Sequence, residues 1–114
     1  MQQDHEPNDE LVVFVTTPSR EQAVAIAENL VNERLAACVN IVPAIESIYR
    51  WEGKIARDAE TLMIIKTTSD SYAALQKRVI ELHSYDTPEV IALRIDRGSD
   101  KYLNWLRSES VPPV

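Results

Sequence analysis

Two glycines and one cysteine occur in 114 residues, and each scarcity removes a class of protein. The glycines, Gly53 and Gly98, stand far apart, so the glycine-rich loops that cradle phosphates, GxGxxG and GxxxxGK, are absent. Nucleotide binding through those motifs is excluded. The lone Cys38 has no partner for an intramolecular disulfide, which removes the disulfide-stapled secreted scaffolds and makes the cytoplasm the expected compartment. No basic run exists: 12 Lys and Arg are scattered among 18 Asp and Glu, for a net charge of -6. A nucleic-acid surface needs a concentrated positive footprint, so no nucleic-acid partner is expected. No apolar run is longer than the five residues of Leu11 to Val15, far short of the ~20 that cross a bilayer, and no membrane partner is expected. The opening MQQDHEPNDE is acidic and lacks an apolar stretch, unlike a signal peptide.

What is present reads as one ordered domain. Hydrophobic residues make up 45% of the chain and charged residues 26%, ordinary proportions for a globular unit of this length. The run LVVFVTT at 11–17, β-branched and closed by Pro18, predicts a central strand buried on both faces. Ser19 caps the helix that follows, with Gln22 placed to reach back in a capping box. Ala23, Ile26, Ala27, Leu30 and Val31 form its buried stripe. A second strand runs from Cys38 to Trp51 with a break or bulge at Pro43, because proline donates no ladder hydrogen bond. Glu52, Gly53 and Lys54 turn the chain back as a hairpin, into a third strand that starts near Ile55 or Ala59 and ends at Thr67. Asp70 caps a second helix with Tyr72, Leu75, Val79 and Leu82 on one face. A loop over 84–88, a fourth strand over 89–95 and a helix capped by Ser99 or Asp100 follow, the last carrying Tyr102, Leu103, Trp105 and Leu106.

The order βαββαβ with an extra C-terminal helix predicts an α+β fold of the ferredoxin-like, split βαβ kind. Residues 1–10 are expected as a disordered acidic N-terminus, 11–108 as the domain, and 109–114 as a proline-rich tail. A domain of this length has a radius of gyration of about 13 Å, whereas a strand continuous from Val39 to Trp51 extends about 40 Å. The hairpin therefore overhangs its own domain and presents Ile48, Tyr49 and Trp51. Unpaired strand edges with large apolar side chains call for another subunit to cover them, so a homo-oligomer is expected.

Few residues carry recognisable chemistry. Cys38 at the head of an apolar strand reads first as a small core residue, since a nucleophile needs a nearby base and a lowered pKa. No GxSxG elbow, HExxH or zinc-spaced cysteine pair occurs, and the chain is not expected to be an enzyme. His83 ends a helix and opens the stretch HSYDTPE. It is either a C-terminal histidine satisfying orphan carbonyls or a metal ligand, with Asp86 and Glu89 as oxygen donors. Tyr49 and Trp51 are interface packing or the walls of a pocket. Glu60 and Lys66, six residues apart on one strand, face the same side and form either a registry device between subunits or part of a ligand site.

Five segments together resemble one family: RLAACVN at 34–40, SIYRWEGK at 47–54, IIKT at 64–67, HSYDTPE at 83–89, and Tyr102, Leu103, Trp105 and Leu106. In this order they are similar to the CutA family of divalent-cation tolerance proteins. The resemblance implies a ferredoxin-like fold, a homotrimer built through long hairpins, and a role in the response to divalent metal ions, copper above all. It implies pockets near subunit boundaries walled by Cys38, Tyr49, Trp51, Glu60, Lys66, Tyr85 and Glu89, with His83 as the metal ligand. The alternative implied is a PII-like signalling module that binds a small anionic ligand or a partner protein, with Lys66 as the charged contact. Two departures stand out. Ser84 replaces a proline of the family's loop, which implies a looser loop, and Val15 and Leu82 stand where some members carry copper ligands.

Overall fold

The computed structural model describes residues 9–111. Its elements are β1 (Glu10–Thr17), α1 (Arg20–Asn32), β2 (Cys38–Trp51), β3 (Lys54–Thr68), α2 (Ser69–Leu82), β4 (Val90–Arg94) and α3 (Asp100–Glu109). The strands form one antiparallel sheet in the order β2-β3-β1-β4, the ferredoxin-like arrangement expected. Most of the acidic N-terminal segment lies outside the described residues, but Glu10 already belongs to β1 and accepts a hydrogen bond from Arg107 on α3. Of the expected tail, Glu109 closes α3, Ser110 is buried, and 112–114 lie outside the described residues.

The core sits between one face of the sheet and the helix pair α1 and α2. Val13 and Val15 of β1 and Met63 and Ile65 of β3 pack against Ala23, Ile26 and Leu30 of α1 and against Leu75 and Val79 of α2. Arg78 of α2 holds Glu33, just past α1, through paired hydrogen bonds of 3.0 and 3.1 Å. Helix α3 lies across the end of the sheet where β1 begins. There Leu106 is fully buried, Ser71 Oγ donates to the Ser110 carbonyl at 2.5 Å, and the Arg34 guanidinium donates to the carbonyls of Ser108 and Val111. Arg34 follows the end of α1 at φ 62, a left-handed position where glycine is the usual choice. The two carbonyls it binds give an arginine there a structural use.

Four local expectations are corrected. Val31, expected in the buried stripe of α1, is exposed, while Ala23, Ile26, Ala27 and Leu30 are covered. Strand β1 is buried on one face only: Leu11, Val13, Val15 and Thr17 are covered, while Val12, Phe14 and Thr16 are half-exposed. Its continuous apolar text arises because the second face is apolar too, with Leu62 and Ile64 of β3 and the exposed Ile91 and Leu93 of β4 beside it. Asp70 does not cap α2. β3 runs directly into the helix, Thr68 takes the capping position without a side-chain bond, and Asp70 lies in the first turn, where a negative charge complements the helix dipole. Ser19 does cap α1, accepting from the Gln22 amide at 3.1 Å, but the Gln22 side chain turns away to the loop after α2.

The hairpin turns on Glu52 and Gly53, at φ 50 and 79, the positive pair that a two-residue turn of the primed type requires. With strands of 14 and 15 residues it stretches the molecule to 47 Å and raises the radius of gyration to 14.9 Å. The break expected at Pro43 is a β-bulge. Val42 faces Leu62 and Ile45 faces Glu60, so β2 takes three steps where β3 takes two. Because side chains alternate along a strand, the extra residue exchanges the faces of everything beyond it. Ala44 carries the bulge at φ 61. A β-branched side chain there is strained, so Ala44→Val is expected to lose more than about 1 kcal/mol of stability, while Ala44→Gly stays at or above the parent. Denaturant unfolding of both variants checks this.

Candidate functional site

Beyond the bulge, Ser47, Tyr49 and Trp51 of β2 share a sheet face with Asp58 and Glu60 of β3. The segment 83–89, leaving the end of α2, arches over the same region. Between the two lies an open cleft of about 760 Å³, walled on the hairpin side by Ser47, Ile48, Tyr49, Trp51 and Glu60, on the loop side by Ser84, Tyr85, Asp86, Thr87 and Glu89, and floored by Thr16.

A chain of hydrogen bonds fixes the loop to the sheet. His83 is buried; its Nε2 lies 2.8 Å from the Thr16 carbonyl, and its Nδ1 accepts from the Tyr85 amide at 3.0 Å. A carbonyl at one nitrogen and an N–H at the other define the neutral tautomer protonated on Nε2. The imidazole lies against the Tyr85 ring, centroids 4.8 Å apart, and the Tyr85 hydroxyl donates to Glu60 Oε2 at 2.8 Å. On the opposite wall the Tyr49 hydroxyl donates to Asp58. Ser84 is held twice by Gln22: its amide donates to Oε1 and its Oγ accepts from Nε2, both at 2.9 Å. Proline could not make the first of these bonds, so Ser84 ties the loop down where a looser loop was expected.

Both phenols register the carboxylates. Burial pushes the Tyr85 pKa far up, and the hydrogen bond and charge of Glu60, with Asp58 and Tyr49 behind, push it further. Tyr49 is raised first by its bond to Asp58, then by burial and by the charges of Asp58 and Glu60. No residue on the cleft wall is a lysine or arginine, and among the described residues none of Asp58, Glu60, Asp86 and Glu89 has an ion-pair partner.

The residues expected in one pocket separate into two groups within a single chain. Tyr49, Trp51, Glu60, Tyr85 and Glu89 wall the cleft, with His83 behind Tyr85. Cys38 and Lys66 do not. They sit at the opposite end of the face, about 20 Å along β3 from Glu60 at strand spacing, where Lys66 donates to Asn40 and approaches the Cys38 sulfur at 4.0 Å. Tyr102 of α3 joins them, its pKa raised by burial and then by Cys38. Sequence reasoning missed Asp58, although its place two residues before Glu60 on a strand puts it on the same face. It also missed Thr16, whose backbone does the binding and leaves no side-chain signal, and the Gln22–Ser84 pair, which joins residues far apart in sequence.

A metal does not fit the expected site. Both His83 nitrogens are engaged, Val15 is fully buried among the helices, and Leu82 packs on the core. Among the described residues no group of three or more His, Cys, Asp or Glu stands close enough to hold an ion.

Fold and cleft together define a ferredoxin-like α+β domain with an acidic, aromatic-walled recess between a projecting hairpin and a short loop. Residues 11–109 match the family described as CutA1 divalent ion tolerance protein, and the chain belongs to that family. It is 54% identical over 100 residues to the chloroplastic CutA of Arabidopsis thaliana, covering 88% of this chain and 55% of that protein. It is 52% identical over 101 residues to the divalent-cation tolerance protein CutA of Thermus thermophilus, covering 89% and 98%. The solved Thermus thermophilus structure superposes with a TM-score of 0.88 at 51% identity, over 90% of this chain and 99% of that one. The structure from Oryza sativa does so with 0.88 at 48%, over 93% and 98%.

The tyrosines yield a pH prediction. Tyr49, Tyr72, Tyr85 and Tyr102 are all raised in the folded chain. Above an unfolded tyrosine pKa of about 10 the unfolded chain releases protons that the folded chain keeps, so stability is expected to be intact below that pH and to fall as pH rises beyond it. Phenolate absorbance of the folded protein should lag behind that of the denatured protein, and Tyr85→Phe should remove the latest-titrating group.

Proposed function

We propose that this chain acts as a homotrimeric, non-enzymatic binding protein of the divalent-cation tolerance type, taking part in the response to metal ions through the cleft between hairpin and loop. One observation carries the reading: the hairpin and the helix-free sheet face expose Val42, Ile48, Tyr49, Trp51, Ile55, Ile91 and Leu93 together, an apolar area that needs cover in water. Covering it with copies of the same chain turns the cleft into a recess near a subunit boundary. A cytoplasmic setting rests on the single cysteine; relatives bear names that include chloroplastic and periplasmic forms. The chain spans only 55% to 60% of several curated relatives, so what those longer proteins do beyond the shared domain is outside this reading.

Copper at His83 is the narrower reading implied by the sequence. It would require the imidazole to release the Thr16 carbonyl or the Tyr85 amide, and we infer that His83 instead positions Tyr85. An anionic ligand, the PII-like alternative, finds carboxylates and no lysine or arginine on the cleft wall; Lys66 serves such a ligand only if another copy brings it near.

Sedimentation equilibrium of the full chain should return three times its 12.9 kDa mass, and a monomer would overturn the assembly. Calorimetric titration with Cu(II) and Zn(II) should give the same affinity for the parent and for His83→Ala within about twofold, while the variant unfolds at lower temperature through loss of two buried hydrogen bonds. Saturable binding of the parent that disappears in His83→Ala would make the histidine a ligand.

A further inference from the structure

We draw no further inference here: the strongest candidate, the cluster of Cys38, Lys66 and Tyr102 at the end of the sheet where β1 begins, rests on a lone cysteine, and nothing else in the structure points to a ligand there.

Discussion

One extra residue in β2 governs the functional half of this molecule. At the bulge between Val42 and Ile45, β2 advances three residues against two on β3, and the alternation of side chains reverses its faces from there to the tip. With the bulge, Ser47, Tyr49 and Trp51 share a face with Asp58 and Glu60. Without it, Glu46, Ile48 and Arg50 would stand there, and an arginine would neutralise the carboxylates that now face an open recess. Pro43 and Ala44 suit the irregularity: proline donates no ladder bond, and alanine is the smallest side chain that must bear a positive φ of 61.

The loop over the recess is held as firmly as the hairpin is aimed. His83 links a β1 carbonyl to the Tyr85 amide, Tyr85 reaches across to Glu60, and Gln22 grips Ser84 from α1. Each bond joins a different element, so β1, β3, α1 and the segment after α2 are tied at one place. The loop therefore presents Glu89 and Asp86 in a defined position, and the recess exists before any ligand arrives. Preorganisation of this kind lowers the ordering cost of binding.

Most of the fold was legible because its signals are local. The period of α1, the turn at Glu52–Gly53 and the break at Pro43 each follow from a few neighbouring residues. The site was legible in part for the same reason, with Tyr49, Trp51, Glu60, Tyr85 and Glu89 all marked by their types and strand positions. What escaped depends on distance. The separation of Lys66 and Cys38 from the cleft needs the strand rise, the partners of His83 need a backbone carbonyl on another strand, and the use of Gln22 needs the loop beside it. The continuous apolar text of β1 misled for a related reason: hydrophobicity reports that a face is to be covered, not whether its own chain covers it.

The register of the hairpin is the claim on which the others stand. Cross-strand proton contacts measured by NMR, amide to amide or α to α according to position in the ladder, read it directly. Ile45 opposite Glu60 and Ser47 opposite Asp58 are the contacts predicted. Ala44 opposite Glu60 with Glu46 opposite Asp58 would mean an unbroken ladder, with Tyr49 and Trp51 turned away from the recess, and would contradict the account.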